Sequence, residues 1–302
     1  MEMIGERCTL CPRACGVDRK KHIGFCGASR EAEVATVCLH RGEEPPLNPI
    51  VNVFFAHCNL QCIYCQNWQI TQPRVSMPIP DTMNLEEAVD RICALLPQSG
   101  GMLGLVTASH YADFIPALSE AVHAREFSPT IVYNSSGYES TDILRQLEGL
   151  VDVYLPDFKY MDSRLASFYS HAPDYPEVAQ AAIREMRRQV GGGLKVDTDG
   201  RAYRGLIVRH LVLPGAVDNS LRCLDWLADE FPIGLHLSLM AQYFPPRPKL
   251  PQPLDRSITP DEYTAVTTHA EALGLTAGWM QELDATSNYR PDFTLPDNPF
   301  EP

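Results

Sequence analysis

The sequence predicts an α/β protein, a partial or full (β/α) barrel preceded by a small Cys-rich N-terminal segment. Two observations predict the barrel. From residue 50 onward short apolar runs alternate with amphipathic stretches, and chemically interesting polar residues follow directly after the apolar runs. A third predicts the N-terminal segment: seven of the ten cysteines fall into two groups within the first 65 residues. Strand and helix in alternation imply parallel strands joined by crossover helices. A doubly wound open sheet is the alternative, and periodicity does not separate the two. Either architecture gathers ligands at the C-terminal ends of its strands.

In chain order the predicted strands are 50–55, 102–106, 130–133, 151–155, 205–212, 233–239 and 276–280. Helical patterns lie between them at 85–96, 111–125, 140–147, 176–190, 220–231 and 259–273. Asn84, Ser140 and Thr259 stand where N-caps belong, each with an acidic residue two or three positions on, and Pro260 suits a first helical turn. The Pro-rich stretch 244–253 reads as an extended loop or lid, and Gly191–Gly193 as a turn, since no Lys-Ser/Thr pair follows as a phosphate loop requires. The expected organisation is a Cys-rich metal-binding segment at 1–45, a barrel at 46–290 and a coil at 291–302.

Composition narrows the function. The chain of 302 residues is 45% hydrophobic and 21% charged, and no apolar run approaches the roughly 18 to 20 residues of a membrane helix. The Met1–Ile4 start shows no basic region followed by an apolar stretch, so a cytoplasmic protein is expected, without membrane attachment. A net charge of -13 argues against nucleic acid as a partner, because that binding relies on clustered Lys and Arg. In a reducing compartment ten cysteines read as metal ligands or catalytic thiols rather than a disulfide framework. Cys38, Cys93 and Cys223 stand alone and read as small buried apolar residues.

The first predicted strand runs directly into His57-Cys58-Asn59-Leu60-Gln61-Cys62-Ile63-Tyr64-Cys65, a C-x3-C-x2-C pattern. Three thiolates are an informative number. A structural zinc asks for four protein ligands, whereas three leave one iron of a 4Fe-4S cluster open to an outside ligand. A zinc site completed by a remote His or Cys is the competing reading.

This pattern, with an aromatic before the last Cys, on a loop after the first strand of an α/β chain, resembles the radical SAM superfamily. The likeness extends over nearly the whole chain and is greatest to relatives of pyruvate formate-lyase activating enzyme. It implies a 4Fe-4S cluster on Cys58, Cys62 and Cys65. It also implies bound S-adenosyl-L-methionine (SAM), cleaved reductively to methionine and a 5′-deoxyadenosyl radical that takes hydrogen from a protein or another substrate. The resemblance places Tyr64 beside the adenine. It sets Asn134, Ser135 and Ser136, within a segment similar to the family's Thr-Asn-Gly type, at the ribose and sulfonium. Leu155-Pro156-Asp157-Phe158-Lys159 is similar to the family's Asp-x-Lys, with Asp157 at the SAM region, through a monovalent cation in one form of the reading, and Lys159 directed to the methionyl carboxylate. Alternation puts Asp157 and Lys159 on one side of the chain, where a structural ion pair is the other reading.

One segment departs from the family. Where Gly-Gly-Glu-Pro is usual, this chain has Val106-Thr107-Ala108-Ser109-His110-Tyr111, so Thr107 and Ser109 are the candidates for the SAM amino group and equally fit helix caps. Arg209 and His210 alternate in direction, so only one faces the barrel mouth; Arg209 is the candidate and His210 a core histidine. Ser238, Met240 and Gln242 share one face and are expected to shape the pocket. The resemblance further implies a reductant protein such as flavodoxin or ferredoxin.

Cys8, Cys11, Cys15 and Cys26 supply four further thiolates in a segment with little apolar content, which needs such a staple to order. They suit zinc or an auxiliary iron–sulfur cluster, and their spacing does not choose. The competing function is a zinc-binding regulatory or scaffold protein in which both groups hold zinc. A nucleic-acid-binding module with a zinc knuckle is disfavoured by the charge.

Overall fold

The computed structural model describes residues 7–71, 82–283, 290–295 and 298–300; the Met1–Ile4 start and parts of the tail lie outside them. Its strands are β1 (Val34–His40), β2 (Ile50–Phe55), β3 (Met102–Val106), β4 (Thr130–Ser135), β5 (Val153–Pro156), β6 (Lys195–Val196), β7 (Ala202–Leu211), β8 (His236–Met240) and β9 (Gly278–Met280). The helices are α1 (Trp68–Thr71), α2 (Leu85–Leu95), α3 (Ile115–His123), α4 (Thr141–Gln146), α5 (Ser163–Ser170), α6 (Tyr175–Val190), α7 (Val217–Glu230) and α8 (Pro260–Ala272).

The strands pair in the order β1-β2-β3-β4-β5-β7-β8-β9, with β6 a short hairpin arm on β7. From β2 to β9 every neighbour along that path is parallel. This decides between the two architectures. A doubly wound sheet reverses strand order at a switch point, whereas an unreversed order with right-handed crossovers keeps the helices on one face and lets the sheet curl. The result is an open, partial (β/α) barrel with β1, antiparallel to β2, as one edge strand.

Period-2 alternation sorts each strand into two faces. Outward residues such as Val53, Leu103, Leu105, Tyr133, Tyr154, Val208 and Leu237 join the helices in the main core. Inward residues Ile50, Met102, Val132, Val153, Leu155 and Ile207 form a small apolar plug inside the barrel with Leu47 and Ala202. Burying each such side chain contributes about 1.5 to 3 kcal/mol. Above the plug the inward positions set polar residues such as Asn134, Asp157 and Arg209 among apolar Phe54, Val106 and Leu211, and there the site begins.

Local signals explain most boundaries. Asn84 caps α2 through a reciprocal box with Glu87, and Thr259 caps α8 in the same way with Glu262. Ser140 precedes α4 without making the side-chain cap its position suggests. The predicted helix 111–125 divides at Pro116: a 3-10 turn runs through 109–114 and α3 starts afterwards, because a proline deep inside a helix lacks the N–H and clashes with the preceding turn. The strand predicted from Ile233 begins only at His236, after an exposed Ile233 and Gly234 at φ +75°. β1, β6, α1 and α5 were not foreseen. β1 carries the barrel sheet into the Cys-rich first 45 residues, and at the other end Phe293 and Phe300 of the tail pack their rings on Phe54 of β2.

Candidate active site

At the C-terminal ends of the strands lies a cavity of about 300 Å³, large enough for a small-molecule cofactor. Cys58, Cys62 and Cys65 reach it from the loop after β2. Two non-glycine residues with positive φ, His57 (+71°) and Gln61 (+56°), bend this loop immediately before Cys58 and Cys62. Such conformations persist only where the surroundings hold them. Here His57 N–H donates to the Ile70 carbonyl at 2.8 Å, Ile63 N–H to the Tyr169 carbonyl at 2.8 Å, and Asn59 Nδ2 to the Tyr138 carbonyl at 2.9 Å.

The sulfurs are themselves hydrogen-bonded. Leu60 N–H donates to Cys58 Sγ at 3.3 Å, Ser170 Oγ to Cys62 Sγ at 2.9 Å, and Cys65 Sγ lies 3.3 Å from Thr71 Oγ1. Burial pushes all three thiols up to about 11, against these hydrogen bonds and the nearby Lys159 charge. Without a metal they are therefore neutral, and a bound cation is what would draw them out as thiolates. Among the described residues no three His, Cys, Asp or Glu side chains converge as the ligands of one ion do. A cubane asks no such convergence, since each thiolate binds a separate iron.

Tyr64 lies in the cavity wall, ringed edge-on by Tyr169 and Tyr243. Its hydroxyl is 2.5 Å from that of Tyr160, which is 2.7 Å from Ser170 Oγ. With Ser170 donating to Cys62, the protons run Tyr64 to Tyr160 to Ser170 to sulfur.

On the opposite side Thr107, Asn134, Ser135, Ser136, Asp157 and Lys159 line the wall. Thr107 adopts φ +58°, and its N–H is tied to the Asn134 carbonyl at 2.9 Å. Ser136 Oγ is buried and has no partner. A buried hydroxyl left unpaired costs free energy unless a ligand or water satisfies it. Gly137, at φ +78°, lets the chain pass so close that a Cβ would stand 2.2 Å from the Asp157 carbonyl oxygen. Tyr175 fastens the same point: its hydroxyl accepts from Lys159 N–H at 3.0 Å and lies 2.8 Å from the carbonyl oxygens of both Ser136 and Asp157. Asp157 and Lys159 form an ion pair within the wall. Burial disfavours the Lys159 charge, but Asp157 and the thiol sulfurs more than offset this and raise its pKa.

The far end is lined by His40, Glu43, Glu44, Arg209, Trp279 and Gln281. Arg209 points inward from β7 and forks onto Glu44, with Nε–Oε1 at 2.8 Å and Nη2–Oε2 at 2.6 Å, while Nη2 also meets Glu43. Asn52 Nδ2 donates to the other Glu43 oxygen at 2.9 Å. Burial alone would raise the Glu43 carboxyl, but the Arg209 charge holds it below the usual carboxylate range. His210 points outward, wholly buried between Ser220 and the Phe158 carbonyl, and burial pushes its pKa down to about 4.

The structure thus brings Cys58, Cys62, Cys65, Tyr64, Thr107, Asn134, Ser135, Ser136, Asp157, Lys159, Arg209, Ser238, Met240 and Gln242 to one cavity. It does not bring Ser109 there: that side chain is fully buried, and its hydroxyl donates to Glu139. Ser135 is divided, touching the cavity while donating to Glu139 at 2.5 Å. Glu43 and Glu44 escaped sequence reasoning. The available signal was two adjacent acids directly before Pro45-Pro46, which when buried must find a cation.

In the N-terminal segment Cys8, Cys11 and Cys26 are buried and Cys15 is exposed. Burial, with Cys26 and Cys8 nearby, pushes the Cys11 thiol up to about 12. Of the isolated cysteines, Cys38 and Cys223 are buried and Cys93 is half-buried.

Fold and site together define a cysteine-lined cavity at the mouth of an open (β/α) barrel. No family model matches the chain. An uncharacterized protein of Methanocaldococcus jannaschii is 28% identical over 279 residues, 90% of this chain and 76% of that protein. A lipoyl synthase of Beutenbergia cavernae is 25% identical over 160 residues, 49% of this chain and 47% of that protein. Among solved structures, native anSMEcpe with bound AdoMet superposes with a TM-score of 0.49 at 12% identity, over 74% of this chain and 61% of that chain. QueE from Escherichia coli superposes with a TM-score of 0.41 at 11% identity, over 83% and 94%. The chain therefore spans about half of the lipoyl synthase and about three fifths of the anSMEcpe chain.

Proposed function

We propose that the protein is a radical SAM enzyme. The observation that carries this reading is the arrival of Cys58, Cys62 and Cys65, on one strained loop, at a cavity whose facing wall is polar and built close to the backbone. The residues fit the cofactors. Three thiols suit a 4Fe-4S cluster with one iron left for SAM. The unpartnered Ser136 hydroxyl and the Gly137 cradle suit a polar ligand lying against the β4 terminus.

When bound, the cluster supplies one low-potential electron that splits SAM into methionine and a 5′-deoxyadenosyl radical. The chain's own residues do the rest. Lys159, kept protonated by Asp157, presents positive charge to the methionyl carboxylate; Asp157 has its charge met by Lys159, so the Lys159 ammonium stands where the reading above puts a monovalent cation beside Asp157. Thr107 and Asn134 offer hydroxyl and amide contacts, Ser136 its free hydroxyl, and Tyr64 a ring face for the adenine. Ser238, Met240 and Gln242 shape the wall beyond, and Arg209 is held fixed by its two glutamates.

The oxidoreductase step that follows removes hydrogen from a substrate, either a protein glycine, as activating enzymes do, or another molecule. A reductant such as flavodoxin or ferredoxin supplies the electron. The test is anaerobic reconstitution with iron and sulfide, reduction with dithionite, and assay of SAM for 5′-deoxyadenosine. Product that disappears in Cys58→Ala supports the reading; colourless, zinc-loaded protein that leaves SAM intact defeats it.

A further inference from the structure

The N-terminal cysteines are not accounted for by SAM cleavage. Between residues 7 and 33 there is no helix or strand, yet Cys8, Cys11 and Cys26 are each at most 8% exposed. The segment is folded back on itself by Cys8 N–H to the Val17 carbonyl, Gly16 N–H to the Cys8 carbonyl, both at 3.0 Å, and Ala14 N–H to the Cys11 carbonyl at 2.9 Å. Gly24 brings the second arm in: a Cβ there would stand 2.7 Å from Cys15 Sγ, so glycine lets the segment carrying Cys26 lie against that sulfur without a shift.

A second, independent observation points to negative charge at this place. Arg19 is 6% exposed and donates one N–H, from Nη1, to the His110 carbonyl at 2.6 Å, while its Nε and Nη2 have no partner. A buried guanidinium with unpaired donors is costly unless an anion compensates it. The Tyr111 ring lies 5.0 Å from the guanidinium carbon and meets part of that charge, but it leaves the two N–H donors without an acceptor. Four thiolates around a metal centre are such an anion.

Third, both arms of this segment are hydrogen-bonded to the other cysteine loop. Gln61, just before Cys62, donates through Nε2 to the carbonyl of Phe25, just before Cys26, at 2.5 Å. Arg13, two residues after Cys11, donates to the carbonyl of Asn59, next to Cys58, at 3.0 Å, and to the carbonyl of Ser170 at 3.2 Å. Cys8, Cys26, Cys58 and Cys62 belong to one continuous core. Zinc undergoes no redox change, so at this place it would leave the contacts between the two cysteine loops with no electron to carry.

We propose that Cys8, Cys11, Cys15 and Cys26 hold a second iron–sulfur cluster, compensated by Arg19, that relays electrons through the Phe25–Gln61 contact to the cluster on Cys58, Cys62 and Cys65. A low-potential one-electron donor reduces the N-terminal cluster, which is reoxidised as it passes that electron on. The destination rests on the radical SAM reading; the occupancy does not. The test reconstitutes wild type and a variant with Cys58, Cys62 and Cys65 all changed to Ala, and counts iron, sulfide and zinc. Wild type is expected to hold about eight irons and the variant about four, with a reduced-cluster electron paramagnetic resonance signal in the variant. Zinc at one per chain and no iron in the variant overturns the proposal, as does wild type holding about four irons that are all lost in the variant. Iron equal in both proteins defeats the radical SAM reading instead. Cys11→Ser and Cys26→Ser, checked for folding by circular dichroism, are expected to slow reduction of the remaining cluster by reduced flavodoxin at least tenfold; an unchanged rate removes the relay.

Discussion

Ser170, at the end of α5, donates its hydroxyl proton to the sulfur of Cys62 across 2.9 Å. It thereby joins a helix remote in sequence to the cysteine loop and completes the hydroxyl chain from Tyr64 through Tyr160.

Ser170→Ala is expected to remove that bond and leave the Tyr160 hydroxyl without its acceptor. A hydrogen bond to a ligand sulfur favours the reduced, more negative form of a cluster. The midpoint potential of the reconstituted protein should fall, and the fold should lose about 1 kcal/mol. A spectroscopic redox titration beside a thermal melt checks both; an unchanged potential would show that the serine only packs.

Glu139 gives a pH dependence. Its carboxyl is 2% exposed and accepts from the hydroxyls of Ser109, Ser135 and Tyr133. Burial pushes it up to about 7 from an ordinary 4.5, and the three hydroxyls only partly oppose this. The folded chain keeps this proton over a range where the unfolded chain has released it. The stabilisation is complete below about 4.5 and is lost as pH rises through about 7. At about 1.4 kcal/mol per pH unit the contribution is about 3 kcal/mol. Urea unfolding from pH 4.5 to 7.5 should show this decline in wild type and a flatter profile in Glu139→Gln; equal slopes would refute the assignment.

What was legible in the sequence follows from how locally each feature is determined. The cysteine loop, the Asp157–Lys159 pair and the inward Arg209 were readable because spacing and period-2 alternation place them without knowledge of the fold. Ser109 was misplaced because it shares the segment after β3 with Thr107, and nothing local says that its hydroxyl turns to Glu139. The partners of Arg209 were hidden for the opposite reason: Glu43 and Glu44 lie 165 residues or more away and meet it only once β7 stands in the barrel. Likewise β1 reads as coil beside the cysteines, and its pairing with β2 is a tertiary fact.

Gly137→Ala tests the cradle. A φ of +78° alone costs an L-residue roughly 1 to 2 kcal/mol, and the new methyl would collide with the Asp157 carbonyl oxygen. Asp157 must then move, taking with it the pairing that orients Lys159. The variant should lose at least about 2 kcal/mol of stability and bind SAM about tenfold more weakly, which is about 1.4 kcal/mol. Calorimetric titration of the reconstituted protein reads the affinity; full SAM binding in a destabilised variant would separate the glycine's structural role from the ligand.

Arg209→Met is expected to be the most damaging of these changes, because it strips the cation from two buried carboxylates. Glu43 and Glu44 side chains are 7% and 5% exposed, and Arg209 is 13% exposed. Breaking a buried pair by removing one member costs about 3 to 5 kcal/mol, since the remaining charge is left uncompensated in a medium that solvates it poorly. The same argument predicts rescue. With Glu43→Gln and Glu44→Gln added, the three sites become neutral together, and most of the lost stability should return although no ion pair has been restored. Urea unfolding of the metal-free proteins compares the three chains without reference to SAM chemistry. A triple variant no more stable than Arg209→Met would mean that the guanidinium acts by packing, with its long stem filling the barrel mouth, rather than by charge.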